Sequence, residues 1–360
     1  MEALAVGKIT RHRGVGGAGQ RPGGAVREDS FWRERPVLVT GATGIVGSWL
    51  VKTLIEKSAA VVALVRDCDP QSALYRSGDV RRISVVNGCL EDFWCLERVI
   101  NLYEIDTVFH LGAQTIVGVA HRSPLPTFET NIRGTYNLLE ACRLHSRFVQ
   151  RVVVASSDKA YGTQSTLPYT EESPLLGRHP YEVSKCCADL VAQAYHHTYG
   201  MPVAIARCGN VYGGGDLNWS RIVPGTIRSL LRGERPIIRS NGHYVRDYIY
   251  VKDAVWGYLR LAECLLDDDQ VRGAAFNFSY GKPLKVLEVV QALQKLMSRD
   301  DLEPEILNEA SGEIFNQHLA SDRARDVLRW MPHFDMESGL LETISWYQDF
   351  LAGAAQRGHD

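Results

Sequence analysis

A tyrosine and a lysine in the middle of the chain have the spacing that acid–base chemistry on an alcohol needs. Tyr181 and Lys185 stand four residues apart, so both lie on one face of a helix. A lysine ammonium beside a tyrosine hydroxyl favours the phenolate and lowers a pKa that is ordinarily about 10. The phenolate can take the proton of an alcohol while a hydride leaves the same carbon. This spacing is common by chance, so the surrounding elements decide its meaning.

A second polar cluster follows the strand-like run at residues 151–155. Its members are Ser156, Ser157, Asp158 and Lys159. The carboxyl ends of parallel strands are where open α/β sheets place their chemistry. Serine and aspartate at such a position also cap turns, which is the structural alternative. Ser157 combined with the tyrosine–lysine pair favours a catalytic interpretation.

Apolar, β-rich runs alternate with helical patterns through the first half of the chain. We predict strands at 36–40, 60–65, 83–86, 107–111 and 151–155, and helices at 49–55, 96–100 and 131–144. This alternation indicates an α/β fold, a doubly wound parallel sheet with helices on both faces. After residue 205 we predict helices at 223–232, 254–266 and 286–297 and strands at 236–239 and 248–251. That part is a smaller, mixed α+β domain.

Three glycines lie at the turn between the first predicted strand and the first predicted helix. Residues 40–47 read TGATGIVG, in which Gly41 permits the tight turn, Gly44 admits a pyrophosphate and Gly47 lets the helix pack closely. The helix N-terminus then offers free N–H groups to phosphates. The alternative is a glycine-rich turn without a ligand, but this placement predicts a dinucleotide site. The candidate residues are Gly41, Thr43, Gly44, Ile45, Val46 and Gly47.

The end of the second predicted strand bears on the choice of cofactor. An acidic residue there holds the ribose 2′-OH of NAD, whereas an arginine meets the 2′-phosphate of NADP. The strand ends at Val65 and Arg66 follows, which favours NADP. The adjacent Asp67 can still reach a ribose, so NAD stays open.

Composition excludes several classes of protein. The chain has 360 residues, 45% of them hydrophobic, and a net charge of −2, which argues against general nucleic-acid binding. No apolar run approaches the roughly 18 residues of a membrane span. Eight scattered cysteines without a CxxC pair predict reduced thiols, a cytoplasmic location and no metal site.

The predicted organisation has four parts. Residues 1–30 are rich in glycine and arginine without apolar periodicity, and we expect a disordered leader. The dinucleotide-binding domain spans 31–205, with a return at about 248–278. The substrate-binding domain spans 206–350, and residues 351–360 form a tail.

The motifs together resemble the extended short-chain dehydrogenases/reductases of the nucleotide-sugar epimerase/dehydratase group. They run in family order after residue 31: TGATGIVG, HLGAQ at 110–114, NIRGT at 131–135, SSDKAYG at 156–162, Tyr181 to Lys185, RCGNVYG at 207–213 and RDYIYVKD at 246–253. The resemblance implies a Rossmann domain, a nicotinamide cofactor, a nucleotide-diphosphate sugar as substrate and a homodimer.

The resemblance also assigns roles to residues. It implies Ser157, Tyr181 and Lys185 as the catalytic triad, with Tyr181 and Lys185 also against the cofactor. Leu90, Leu111 and Ala113 are implied in cofactor binding. Asn210, Arg221 and Arg246 are implied in substrate binding, and an arginine fork suits phosphate oxygens.

Asp158 and Lys159 narrow the reaction. Nucleotide-sugar 4,6-dehydratases carry ionisable residues after the serine or threonine, because loss of water across C5 and C6 needs an acid and a base. An Asp-Lys pair with GNVYGGGD and RIVP is similar to CDP-glucose 4,6-dehydratases. Asp158 is then the acid, and Lys159 is the base only if its pKa is depressed; otherwise it pairs with Asp158 or anchors a phosphate. The alternatives are a nucleotide-sugar 4-epimerase and, more remotely, a non-catalytic NADP-binding sensor.

Two positions depart from the family pattern. The usual Gly-Asp-Leu after the third strand reads Gly88-Cys89-Leu90, so the contact to adenine is missing or moves to Asp92. Gly118 stands where CDP-glucose dehydratases tend to carry an arginine. These departures leave the identity of the nucleotide base and of the sugar in the substrate undetermined.

Overall fold

A computed structural model describes residues 28–309 and 314–357 of the chain. Thirteen strands occur within these residues: β1 Pro36–Thr40, β2 Ala60–Val65, β3 Ser84–Asn87, β4 Thr107–His110, β5 Arg151–Ala155, β6 Val203–Cys208, β7 Asn210–Tyr212, β8 Ile237–Ile238, β9 Val245–Arg246, β10 Tyr248–Tyr250, β11 Ala275–Phe278, β12 Leu284–Lys285 and β13 Glu305–Ile306.

The same residues form thirteen α-helices. They are α1 Glu28–Phe31, α2 Ile45–Glu56, α3 Ala73–Arg76, α4 Phe93–Leu102, α5 Val117–Arg122, α6 Pro124–Phe128, α7 Gly134–Leu144, α8 Pro180–Tyr199, α9 Ile222–Arg232, α10 Val251–Cys264, α11 Val286–Leu296, α12 Asp322–Leu328 and α13 Met336–Arg357.

Seven strands form one parallel sheet in the order β3-β2-β1-β4-β5-β6-β11. This is the doubly wound arrangement that the alternating pattern predicts. The inner strands are buried on both faces, which explains their continuous apolar runs. The order reverses beside β1, so the carboxyl ends of β1 and β4 open a crevice between their loops.

Two apolar layers cover the sheet. On one face, buried side chains of α2, α10 and α12 pack against β1 and β6. On the other face, buried side chains of α4 and α7 pack against β4 and β5. A third core joins α9, α11 and α13 with β7 and β10, and it belongs to the mixed α+β part.

Several observed elements differ from the predicted bounds. The helix predicted at 131–144 begins with a π-turn at Glu129–Arg133 before α7. The strand predicted at 236–239 shrinks to β8, because its partner β13 is only two residues long. Val251 begins α10 instead of ending a strand. Helix α13 continues to Arg357, into the region predicted as a tail, while residues 1–27 of the predicted leader and 358–360 lie outside the described residues.

Among the described residues, no helix is long and apolar enough to cross a membrane.

Candidate active site

The glycine loop has a backbone that only glycine accommodates at two positions. Gly41 has φ +72°, and a Cβ there would lie 2.7 Å from the backbone nitrogen of Gly112. A Cβ on Gly47 would lie 2.1 Å from the carbonyl oxygen of Gly41. Gly44 is the extended N-cap of α2 and has no side chain to occupy the N–H groups of the first turn. The loop is therefore a cradle open to phosphate oxygens.

An open cleft extends from this loop along the ends of β1, β2, β3 and β4. It is lined by Thr40, Gly41, Thr43, Leu64, Arg66, Asp67, Gly88, Cys89, Leu90, Glu91, Gly112, Ala113, Gln114 and Thr130. Five of the predicted cofactor residues line it, namely Gly41, Thr43, Arg66, Leu90 and Ala113. Ile45 and Val46 instead direct their side chains into the third core, and Leu111 packs against the first core. These three side chains are partly buried and are not among the residues that line the cleft.

The rim of the cleft carries an ion pair between neighbours in sequence. Arg66 Nε donates to Asp67 Oδ2 at 2.6 Å, and the two side chains are 53% and 72% exposed. Both candidate determinants of cofactor choice therefore lie at the same place and contact each other.

The region after β3 shows why Asp92 is a poor replacement for the missing aspartate. Asp92 caps α4 by accepting a hydrogen bond from the backbone nitrogen of Cys95 at 3.0 Å. Asp92 is not among the residues that line the cleft, whereas Cys89 and Glu91 are.

The predicted acid–base residues come together beyond the cleft, where α8 crosses the end of β5. Lys185 Nζ donates to the backbone oxygen of Ala155 at 2.8 Å. Burial lowers the pKa of Lys185 to about 8, although the nearby Asp189 carboxylate opposes this change. Tyr181 lies one turn earlier on α8 and is 9% exposed.

The pKa of Tyr181 differs in direction from the sequence-based expectation. Burial raises the pKa of the Tyr181 phenol to about 12, against the opposing effects of the Arg221 charge and a polar contact with Ser157. The desolvation of a phenolate therefore outweighs the nearby cations in the protein alone. The Lys185 ammonium, which donates to the Ala155 carbonyl, is not among the groups that lower this pKa.

Ser157 connects the tyrosine to the predicted acid. Its hydroxyl donates to Asp158 Oδ1 at 3.0 Å and accepts from the backbone nitrogen of Lys159 at 3.2 Å. Asp158 is 2% exposed, and its second carboxyl oxygen is buried without a hydrogen-bond partner. Burial raises the pKa of Asp158, while Lys159 and Arg246 lower it. A raised carboxyl pKa suits a general acid.

Lys159 contacts a residue that the sequence did not single out. Lys159 Nζ donates to Gln317 Oε1 at 3.1 Å, and Gln317 is fully buried with Nε2 unpartnered. The positive charge of Lys159 also lies close enough to Asp158 to lower the pKa of that carboxyl. The structural alternative for Lys159, an electrostatic partner of Asp158, is thus present in the fold.

Two of the three predicted substrate residues, Arg221 and Arg246, lie near this cluster. Asn210 Nδ2 is buried without a partner. Arg221 lies at the N-cap of α9, forms an ion pair with Asp216 at 3.0 Å and lowers the pKa of Tyr181. Arg246 is 6% exposed, donates to the carbonyls of Val245 and Phe315, and lowers the pKa of Asp158. One arginine therefore acts electrostatically on Tyr181 and the other on Asp158.

A buried hydrogen-bond network supports the strand ends. Gly112 N–H donates to Thr40 Oγ1, which leaves the threonine proton for His110 Nδ1 at 2.9 Å. His110 Nε2 contacts Thr135 Oγ1 at 3.0 Å. Burial and the charge of Lys185 lower the pKa of His110 to about 3, so the ring is neutral. His110 is the first residue of the HLGAQ motif, but no role was assigned to it from the sequence.

Comparisons with known proteins identify the family of the chain. A family model described as GDP-mannose 4,6 dehydratase matches residues 38–343. The chain belongs to this family. A CDP-glucose 4,6-dehydratase of Salmonella typhimurium is 29% identical, over 91% of this chain and 94% of that protein. The expected family, fold and reaction class are confirmed at this level.

Solved structures show how far the family fold extends. A dTDP-glucose 4,6-dehydratase from Streptomyces venezuelae, crystallised with NAD, has a TM-score of 0.78 and 28% identity, over 87% of this chain and 97% of its own. A UDP-glucose 4-epimerase from Thermotoga maritima, with UDP-glucose, has a TM-score of 0.79 and 27% identity, over 88% of this chain and 99% of its own. Because both neighbours superpose equally well, the fold does not separate dehydration from epimerisation. The side chains after β5 have to do so.

Proposed function

We propose that this member of the family is a CDP-glucose-like nucleotide-sugar 4,6-dehydratase. The observation that carries the proposal is Asp158, a buried carboxyl with one unpartnered oxygen, directly beside Ser157 and close to the tyrosine–lysine pair. A 4-epimerase needs no acid for a leaving hydroxyl, so a carboxyl with a raised pKa at this position favours dehydration. A sensor has no use for this cluster.

The proposed mechanism begins with oxidation at C4. Tyr181, as the phenolate, takes the O4 proton, and the charge of Arg221 and the contact with Ser157 make this form more accessible. A bound nicotinamide supplies the acceptor for the C4 hydride and later its donor to C6. The resulting C4 ketone makes the C5 proton acidic.

Elimination then uses the residues after β5. Asp158 donates its proton to the C6 hydroxyl, which leaves as water when the C6–O bond breaks. A base takes the C5 proton, and Lys159, which lies beside Asp158 and Gln317, is the proposed base in its neutral amine form, which requires a depressed pKa. Arg246 and Asn210 are proposed to hold the diphosphate, because an arginine fork meets phosphate oxygens in pairs. The 4-keto-6-deoxy sugar nucleotide forms when hydride reaches C6 and a proton returns to C5.

We propose NADP or NAD as the cofactor, with NADP favoured. The loop at Gly41, Gly44 and Gly47 would hold the pyrophosphate, and Tyr181 and Lys185 would face the nicotinamide end. Arg66 favours NADP because a 2′-phosphate competes with Asp67 for its exposed guanidinium. The relative crystallised with NAD keeps the alternative open.

The cofactor choice is tested at Arg66. Arg66→Ala should weaken NADP binding at least tenfold and leave NAD binding within about twofold, because only the 2′-phosphate needs a cation. Arg81→Ala, at an exposed arginine outside the cleft lining, is the control. Fluorescence titration with both cofactors gives the answer, and an equal loss for both would remove Arg66 from the argument.

We further propose a homodimer that works in the cytoplasm. Helices α7 and α8 pack side by side and expose Tyr136, at 42%, and Leu190, at 55%. A second copy of this chain would cover these apolar side chains. Light scattering should give twice the chain mass, Leu190→Glu should reduce it, and Met331→Glu, at a site elsewhere that is 64% exposed, should not. The eight cysteines are free thiols, which fits a reducing compartment.

A panel of nucleotide-glucose substrates tests the type of reaction and the nucleotide base of the substrate together. We expect CDP-glucose to give a 4-keto-6-deoxy product, detected by its absorbance after alkali and by mass, with slower turnover of the dTDP, UDP and GDP analogues. If every substrate gave a C4 epimer and none of them lost water, the result would support the epimerase alternative. An analogue without the C6 hydroxyl separates the two reactions, because an epimerase still turns it over.

A further inference from the structure

The loop that precedes α9 is held between two helices from opposite ends of the chain. Trp49 of α2 donates from Nε1 to the backbone oxygen of Gly214 at 2.8 Å. From the other side, Trp346 of α13 packs so closely that a Cβ on Gly214 would lie 2.3 Å from its ring. Helix α2 begins at the glycine loop. The two tryptophan contacts therefore connect the proposed cofactor site with the C-terminal helix.

One hydroxyl of the C-terminal helix sets the position of a charged side chain in the site. Tyr347 OH donates to the backbone oxygen of Asp216 at 2.6 Å, and Tyr347 is fully buried. The Asp216 carboxylate contacts Arg221 at 3.0 Å and also accepts from the backbone nitrogen of Asn218 at 3.1 Å. Asp216 is 6% exposed, so its two contacts leave it little freedom.

Arg221 is the exposed end of this chain of contacts. The Arg221 side chain is 38% exposed, whereas that of Asp216 is 8% exposed. Of the two charged groups in this ion pair, the guanidinium is therefore the one that is available to a ligand. Arginine carries much rotamer freedom, and fixing it before binding lowers the entropy cost of gripping a phosphate. The guanidinium is also the cation that most lowers the pKa of Tyr181.

We propose that Tyr347 is a positioning residue, which acts through Asp216 to hold Arg221 ready for the substrate diphosphate beside Tyr181. The inference rests on the proposed function, because it takes Arg221 as a substrate contact. It adds a residue of the C-terminal helix α13 to the machinery of the site.

The chain offers a matched control for the loss of one hydroxyl. Tyr250 OH donates to Glu342 Oε2 at 2.6 Å, so it also bonds to α13 from a buried ring, but Glu342 contacts Lys252 and not Arg221. Tyr347→Phe removes the bond to Asp216 together with a longer one to the Gly213 carbonyl at 3.4 Å, and Tyr250→Phe removes one hydrogen bond to this helix. Only the first interrupts the path to Arg221.

A double-mutant cycle tests the proposal in the full-length holoenzyme with CDP-glucose. Tyr347→Phe should raise KM about three- to tenfold with kcat changed less than twofold, as expected for the lost hydrogen bond to Asp216, and Tyr250→Phe should leave KM within twofold. Arg221→Met should raise KM by more than tenfold. In the Arg221→Met background, Tyr347→Phe should change KM by less than twofold, because its effect passes through Arg221.

The outcomes separate the inference from the function on which it rests. Additive effects of Tyr347→Phe and Arg221→Met, or an equal rise of KM in Tyr250→Phe, would overturn the positioning role. A normal KM in Arg221→Met would overturn Arg221 as a substrate contact, and no product from the wild type would overturn the function itself. Asp216→Asn is an independent test, because it removes the carboxylate but keeps the backbone carbonyl that accepts from Tyr347. This variant should raise KM as Tyr347→Phe does. An unchanged KM would contradict the proposed path from Tyr347 through Asp216 to Arg221.

Discussion

Asp158 is the residue at which burial and charge oppose each other most directly. Its burial penalises the carboxylate and raises its pKa, while Lys159, Ser157 and Arg246 lower it. Desolvation is the largest of these effects, so the acid form is more accessible than it is in water. The unpartnered Oδ2 leaves one oxygen for a ligand. The residue is therefore suited to giving a proton to a leaving hydroxyl.

Replacing Asp158 should separate oxidation from elimination. Asp158→Asn removes the proton donor but keeps the shape of the side chain, so we expect C4 oxidation to continue and loss of water to slow about 10²–10⁴-fold. Rapid-quench analysis of a single turnover should then show accumulation of the 4-keto-hexose nucleotide.

The structural alternative makes a different prediction for the same variant. If Asp158 only caps the following turn, its loss costs about 1 kcal/mol of stability and leaves the elimination rate at the wild-type value. Equilibrium unfolding of Asp158→Asn, measured beside the rapid-quench experiment, distinguishes the two roles.

At the scale of elements, the turn from β1 to α2 fixes the cofactor cleft. Gly47 allows the first turn of α2 to lie against the Gly41 carbonyl, which orients the free N–H groups of the helix. Any side chain at this position pushes the helix away from the strand. The turn therefore determines whether the pyrophosphate has a place to bind.

A single methyl group tests this geometry. Gly47→Ala would place a Cβ 2.1 Å from the Gly41 oxygen, so we expect dinucleotide affinity to fall at least tenfold. Gly118→Ala is the matched control, because the nearest atom to its Cβ is the end of the Arg122 side chain at 3.8 Å. Calorimetric titration with NADP and NAD measures both variants, and equal affinities would contradict the account of the loop.

The elements also show which features a sequence reveals. Strands β1 to β5 lie within one residue of their predicted bounds, because local apolar runs define buried parallel strands. The short strand β9 depends on a distant partner and carries no local signal, and the length of β8 is set by its partner β13. Gln317 contacts Lys159 across 158 residues and belongs to no motif, so only the fold reveals it. The direction of the Tyr181 pKa failed for the same reason, since burial is a property of the fold.

At the scale of the molecule, a second buried carboxyl links stability to pH. Asp247 is fully buried, accepts hydrogen bonds from Ser279 and from the backbone nitrogen of Leu319, and has an unpartnered Oδ1. Burial raises the pKa of Asp247 to about 7, and the neighbouring Asp158 adds to this effect. In the unfolded chain an aspartate has a pKa of about 3.9.

The sign of this effect follows from where the protons bind. Between about pH 4 and pH 7 the folded chain keeps a proton on Asp247 that the unfolded chain has lost, so this group's stabilising contribution falls as the pH rises. Asp247→Asn keeps an oxygen that can accept both hydrogen bonds and has no proton to lose. Relative to the wild type, the variant should therefore gain a few kcal/mol of unfolding free energy between pH 4 and pH 7.

Urea unfolding at several pH values measures this difference. Asp300→Asn, at an exposed position, should follow the wild type across the whole range. A constant difference between Asp247→Asn and the wild type from pH 4 to pH 7 would show that the Asp247 carboxyl titrates in the fold as it does in water.

The path of the C4 hydrogen tests the central claim most directly. CDP-glucose deuterated at C4 is converted by the wild-type enzyme, and the product is analysed by NMR and mass spectrometry. A 4,6-dehydratase moves the deuterium from C4 to C6 within one sugar, so the account predicts a 4-keto-6-deoxy product with deuterium in its C6 methyl group. A hexose that is inverted at C4, retains its C6 hydroxyl and carries deuterium at C4 would contradict the account.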